Sequence, residues 1–342
     1  MNINDIREQK DFGKTTFSNY KKNAVIKELT QCVLKNKLES AYHWSAELVC
    51  AGHYIVLWDT ILTLIGKYIR NPTLPIYILM RFRQFKEIVQ NGYIDNELSL
   101  RNNLQIRTLF GEICAILCNA TKNLGFEMIK IKPEEFNIPT LTHKFKAPHV
   151  KFVETIFREN DPKEIFIPLN EFAYQISKHK NFLDSCYWVE WIIEYDSISR
   201  KKKDPLIAES RTFAPDKFQK DVIWIIWEII MSNAKTELHK RCIESLIELF
   251  ALKYSYATKK KRRPLLYFAI ELLIEDKLTH PNIITPKVKQ IINVIPSNLD
   301  KIYKRIKKHE IAPKTDYLFH GVEQKSNQEK TAEKLAILNK LM

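Results

Sequence analysis

The sequence predicts an all-α protein: two stacked multi-helix modules in an α-solenoid-like arrangement, joined by a Pro-rich extended connector. Three observations carry that expectation. Only seven of 342 residues are glycine, which disfavours the tight hairpins, propeller blades and nucleotide-cradling loops that depend on that residue. Apolar residues recur at three- and four-residue steps through most of the chain, the period of a helix with one buried face. Between residues 127 and 163 that period breaks up around Pro133, Pro139, Pro148 and Pro162, which lack a backbone donor and interrupt helices.

Taken in order, residues 1–15 are polar and read as a flexible arm. Ser18 is placed to cap a helix over 18–35, whose Ala24, Val25, Leu29, Cys32 and Val33 share a face. A second helix fits 40–50, with Gly52 able to end it in a left-handed turn, and a third fits 55–69, closed by Arg70-Asn71-Pro72. Residues 75–90 and 98–121 complete an N-terminal module over 16–126, its short links making neighbours pack antiparallel. The connector occupies 127–163. Helical patterns over 168–177, 183–198, 217–231, 238–254, 264–274, 286–294 and 299–308 form a C-terminal module over 164–321, and 322–342 read as a polar linker and a short helix carrying Leu335, Leu338 and Leu341. Ala41-Tyr42-His43-Trp44 echoes Ser185-Cys186-Tyr187-Trp188, and Trp58-Asp59-Thr60-Ile61 echoes Trp227-Glu228-Ile229-Ile230. These echoes suggest two related modules; Trp at amphipathic spacing also recurs by chance in helical cores.

A net charge of +14 suits a polyanionic partner. Against this, the 54 cations are 41 Lys and 13 Arg, a bias that an AT-rich genome imposes on any protein, and Arg is the residue that forks onto phosphates and guanines. The six cysteines fall in apolar helical stretches without a paired framework, as reduced thiols do. The N-terminal MNINDIREQKDFGK lacks the apolar core of a signal peptide. The longest apolar stretch, 54–69, carries Asp59 and Lys67 and is too short to span a bilayer, so no membrane association is expected.

Candidate chemistry is sparse. Gly13-Lys14-Thr15 matches the end of a phosphate loop, but the glycine required five residues earlier is Glu8. His43, Cys50, His53, Cys114 and Cys118 offer zinc-ligand types without the spacing of a finger or ribbon. Acids within apolar helices, Glu47, Asp59, Glu112, Glu171, Glu190, Glu194 and Glu228, invite a carboxylate-pair reading, above all Glu190 with Glu194. The alternative is that they pair with Arg81, Arg101, Arg107 or Lys on adjacent helices. The tryptophans read as core wedges whose indole N–H meets a carbonyl or an acid. Only Arg81-Phe82-Arg83-Gln84-Phe85-Lys86 fits a base-stacking platform. No metal and no cofactor is expected.

Two sharp basic runs remain: Arg200, Lys201, Lys202 and Lys203, and Lys259, Lys260, Lys261, Arg262 and Arg263. Each falls between helical patterns and is expected on a loop or helix end. There the nine residues would form a nucleic-acid-binding patch or a nuclear import signal; the competing reading is a solvated, Lys-rich turn.

Several segments, among them Glu39 through Gly52 (ESAYHWSAELVCAG), Cys186 through Asp196 (CYWVEWIIEYD), Lys217 through Glu228 (KFQKDVIWIIWE) and Thr315 through Gly321 (TDYLFHG), resemble an uncharacterised helical protein family of nucleocytoplasmic large DNA viruses, the giant viruses. The resemblance spans most of the chain and implies a viral protein of the host cytoplasm or virion, with no activity, cofactor or site residue to carry over. Ala41 through Glu47 with Ala51-Gly52 and Ile65-Gly66 is also similar to the helical collar of clamp-loader-like AAA+ ATPases, whose nucleotide-binding half has no counterpart here. The expected function is therefore a non-enzymatic scaffold or interaction protein with protein partners; the alternative is a sequence-independent nucleic-acid-binding accessory in replication or packaging.

Overall fold

The structure, a computed structural model, describes residues 1–94, 96–275, 282–313 and Thr331. It is all-α: among the described residues no strand occurs, and the β-type pairing is an isolated antiparallel bridge between Thr15 and Lys21. The helices are α1 (Lys22–Leu34), α2 (Leu38–Cys50), α3 (Tyr54–Lys67), α4 (Thr73–Gln90), α5 (Leu104–Asn119), α6 (Phe166–Tyr174), α7 (Phe182–Lys201), α8 (Ile223–Ser232), α9 (Glu237–Ala251), α10 (Tyr256–Lys261), α11 (Arg263–Ile274) and α12 (Pro286–Lys307).

One hydrophobic core draws on all of them except α10, whose buried residue is Lys259. Helix α1 packs on α2, and α2 on α5; α12 then returns to cover both α2 and α5. Likewise α11 lies on α3, and α9 on α4. The packing therefore crosses the boundary drawn at residues 127–163. The reason is visible in α3, where Leu57, Trp58, Ile61, Leu62, Leu64 and Ile65 are all buried. A helix apolar around most of its circumference must be covered from more than one side, and the second half supplies that cover. At the α3–α11 crossing a Cβ on Gly66 would sit 2.9 Å from the Pro264 carbonyl carbon and 3.0 Å from the Leu265 nitrogen, so the close approach of the two backbones depends on the missing side chain.

Three expectations about local structure are corrected. The arm at 1–15 is tied down: Ile3 and Phe12 are buried, Ile3 exchanges two hydrogen bonds with Asn102 (2.8 and 2.9 Å), and the Ile6 N–H donates to the Ile311 carbonyl at 3.0 Å. Sparse apolar residues on a polar segment did not announce this, because the contacts lie some 100 and 300 positions away. Ser18 does not cap α1; its hydroxyl donates to Glu47 Oε1 at 2.5 Å and its N–H to Oε2 at 3.0 Å, so the helix starts four residues later. Residues 286–307 form one helix with Pro296 inside. A mid-helix proline costs about 3 kcal/mol, and the buried stripe of Val288, Ile295, Leu299, Ile302, Tyr303 and Ile306 offsets it.

Residues 127–163 hold only short 3₁₀ turns and lie along α6 and α7. The Glu135 carbonyl accepts from Trp191 Nε1 at 2.7 Å, Phe145 stacks on Trp188, and the Lys146 N–H donates to Glu171 at 2.8 Å. No helix among the described residues is long and apolar enough to cross a membrane. The proposed C-terminal helix at 332–342 lies outside the described residues.

Candidate interaction surface

The two basic runs do come together, but as counter-charges rather than as a display. Both runs sit at helix ends: Arg200 and Lys201 form the last turn of α7, Lys259 to Lys261 form the second half of α10, Arg262 caps it, and Arg263 opens α11. One helical turn, capped by Ser255, aims Lys259 inward. Its Nζ lies 2.6 Å from Asp196 Oδ2 and 2.9 Å from Asp221 Oδ1. Arg200 Nε donates to the same Asp196 Oδ2 at 2.9 Å, its guanidinium lies 3.7 Å from the Tyr256 ring centroid, and Tyr254 OH donates to Asp221. Lys260 bonds Glu194 at 2.9 Å, and Arg263 bonds Glu190 at 2.5 Å. Arg262 is buried, reaching Asp59 at 3.0 Å and the carbonyls of Phe250 and Leu252. Lys261 touches Asp59 at 3.3 Å while its side chain stays 65% exposed. Of the nine, Lys201, Lys202 and Lys203 are exposed and make no ion pair with a described residue. The second run thus neutralises Asp59 on α3, Glu190, Glu194 and Asp196 on α7, and Asp221 just ahead of α8.

The helical acids are bound in the same way. Glu112 pairs with Arg81, and Glu228 with Arg158 at 3.0 Å and Arg211 at 2.9 Å. Glu47 and Glu171 accept from N–H and hydroxyl donors of neighbouring segments. Burial pushes the Glu190 carboxyl above its ordinary value despite Arg263 and a hydrogen bond from Tyr267. Glu190 and Glu194 share Arg263, 2.5 and 3.5 Å away, with Lys260 also on Glu194, and among the described residues no group of three His, Cys, Asp or Glu could hold a metal. The zinc-ligand types are scattered into other uses. His53 Nε2–H donates to the Thr15 carbonyl at 2.8 Å, Cys114 contacts the Ala41 carbonyl, and burial pushes the Cys50 and Cys118 thiols up and that of Cys114 to about 12, so these sulfurs stay protonated.

What the surface does offer is an apolar cleft. Tyr54, Trp58 and Leu62 recur every four residues on α3, and Phe82, Phe85 and Val89 at three- and four-residue steps on α4. These spacings put each trio on one helical face, and both trios line a cavity of about 290 Å³. Trp58 meets Phe82 edge-on at 5.1 Å and Phe85 at 5.7 Å between centroids, with Tyr54 5.5 Å from Phe85. Leu252, Lys253 and Arg262 also line it, and Asp59, Lys86 and Glu97 bring charge to its lining. The Tyr54 hydroxyl, Trp58 Nε1 and Arg262 Nε, all on residues lining the cavity, are buried without a partner among the described residues. Ile55, 51% exposed, is shared with a wider groove of about 650 Å³ that runs past Ile6 and Ile94.

Trp58, Phe82 and Phe85 are visible in the sequence as a core wedge and as a basic–aromatic platform. The platform does not form, because Phe85 is buried and Arg81 and Arg83 turn to Glu112 and Glu248. The readable signal for the cleft was the run Tyr54-Ile55-Val56-Leu57, whose unbroken apolarity leaves one residue without an interior place. Trp191 and Trp224 donate to carbonyls as expected, whereas Trp58 and Trp227 find no acceptor among the described residues. No family model, curated protein or solved structure matches the chain.

Proposed function

We propose that this chain is an interaction protein whose α3–α4 cleft receives an apolar anchoring side chain of a protein partner. The observation that carries the reading is the aromatic-walled cavity of about 290 Å³ with exposed Ile55 at its edge. That volume is at the floor of the range for drug-sized ligands, roughly 300 Å³, and matches one or two inserted side chains. Aromatic-lined pockets of this kind concentrate binding energy in a few buried contacts. The scaffold role implied by the resemblance to giant-virus proteins agrees with it and supplies no residue to it.

The test is quantitative cross-linking to partners in cells with Ile55→Glu, which charges the mouth, and Val89→Phe, which fills the cleft. A partner anchored here loses about tenfold or more in capture with both variants and is unaffected when Lys201, Lys202 and Lys203 become Gln. Capture indifferent to both cleft variants overturns the reading.

A second reading, contact with a polyanion, is favoured by one observation. Exposed Lys217 and Lys220 share a shallow cleft with Arg200, immediately before unpaired Lys201 to Lys203. Such contact would be independent of base sequence and would weaken steeply with salt.

A further inference from the structure

The wider groove has an occupant within reach. Three of the molecule's exposed large apolar side chains gather along it: Ile6 at 56%, Ile55 at 51% and Ile94 at 67% exposure. Apolar side chains grouped in this way mark interaction surfaces. The chain's own course brings its C-terminal part to the same place. Ile311 N–H donates to Asp5 Oδ2 at 2.9 Å, and the Ile311 carbonyl accepts from Ile6 N–H at 3.0 Å. Asp5 and Ile6 are groove residues, so Pro313 lies within two residues of the groove's edge.

Beyond it the sequence continues for 29 residues to Met342, ending in AEKLAILNKLM. Leu335, Leu338 and Leu341 recur every third residue there, with Lys334 just before the first and Lys340 just before the last. As a helix these eleven residues would be about 16 Å long with one leucine edge. Fully extended, eighteen residues, the number from 314 to 331, span at most about 60 Å, so chain length does not keep 332–342 from the groove, and a segment tethered at such lengths acts at an effective concentration of about a millimolar. Glu8 and Glu97 on the groove complement the two lysines.

We propose that residues 332–342 of the same chain dock in this groove, with Leu335, Leu338 and Leu341 covering Ile6, Ile55 and Ile94. The proposal stands apart from the partner reading of the neighbouring cleft, although a docked segment would also crowd Ile55, which the two surfaces share.

The test uses the full chain with Ile94→Cys and Leu338→Cys together. The six native cysteines are buried and leave a clean background under mild oxidation. The control replaces Ile94→Cys by Leu124→Cys, a leucine 91% exposed that does not line the groove. Docking predicts an intramolecular disulfide that forms about tenfold faster than in the control, at a rate independent of protein concentration. Adding Leu335→Glu and Leu341→Glu should bring the rate down to the control's while helicity by circular dichroism is retained. Equal rates in the two cysteine pairs, or cross-linking only between chains, overturns the proposal; the latter makes a second copy the occupant.

Discussion

Arg200 to Lys203 and Lys259 to Arg263 are written in nearly the same letters, yet they end in opposite surroundings. The first run leaves α7 with only Arg200 engaged, and its three lysines stand in solvent. The second is drawn into the molecule residue by residue: Lys259 onto Asp196 and Asp221, Lys260 onto Glu194, Arg262 onto Asp59, and Arg263 onto Glu190. What separates them is the opposing surface. A short helix wedged between α7, α8 and α11 meets carboxylates that would otherwise be buried unpaired, whereas a helix end facing water meets none. Local charge density decides little; the carboxylates that packing brings opposite decide most.

The largest effect expected from this contrast is on stability. Lys259→Met leaves Asp196 and Asp221 buried with Arg200, the Tyr254 hydroxyl and the Ile223 N–H as their remaining partners. Removing one partner of a buried pair costs about 3–5 kcal/mol, and the residual Arg200 contact places the expected loss near the lower end. Lys202→Met, exposed, should change stability by less than about 0.5 kcal/mol. Urea denaturation of both variants measures the difference. A loss under about 1 kcal/mol for Lys259→Met would mean that the second run is solvated after all.

The same contrast shows how much the sequence could reveal. Helix positions follow from apolar periodicity, and most are legible to within a few residues, because one buried face leaves its mark every three or four positions. The Glu112–Arg81 pair is also legible in kind, since acids in apolar helices need cations. Which cation is another matter. Asp59 takes Arg262 from 203 positions away, and no local pattern encodes that pairing. The tethered N-terminal arm and the crossing of α11 over Gly66 are hidden for the same reason. The α3–α4 cleft is partly legible: its residues stand out as aromatic and periodic, but periodicity does not distinguish a wall that is covered from one that is left open.

An intermediate effect concerns pH and asks whether the second run fully compensates its acids. Burial raises the Glu190 carboxyl above its ordinary value of 4.5, against the opposing pull of Arg263 and Tyr267. A folded-state pKa above the unfolded one means that the folded protein holds this proton more tightly. The associated stability is fully present below the unfolded pKa and is lost as pH rises through the folded one. The stability of the wild type relative to Glu190→Gln should therefore fall as pH rises from about 4 through the weakly acidic range. Asp161 supplies the opposite sign. Burial pushes its carboxyl up, but Arg211 and the backbone N–H groups of Arg158 and Glu209 outweigh burial and hold it below its ordinary value. Wild type relative to Asp161→Asn should thus lose its advantage as pH falls through that lowered pKa. Thermal melts across pH check both directions, and a flat difference profile for Glu190→Gln would show that Arg263 compensates it completely.

The smallest effect on stability is also the sharpest test of the exposed run. Replacing Lys201, Lys202 and Lys203 together with Gln touches no ion pair to a described residue, so the melting curve should shift by no more than surface substitutions usually cause, about 0.5 kcal/mol. If these lysines meet a polyanion, the change appears in the salt dependence of binding. Each phosphate contact contributes about 0.9 to the slope of log K against log salt on duplex DNA, so losing three lowers that slope by up to about 2.7. The first run is the one to substitute. Changing Lys259, Lys260 or Arg262 would abolish binding through the fold just as well as through the surface, and the two causes would be indistinguishable. Retained helicity with an unchanged salt slope would place these lysines among solvated charges, and the positive balance of the chain would then have no nucleic-acid partner at this face.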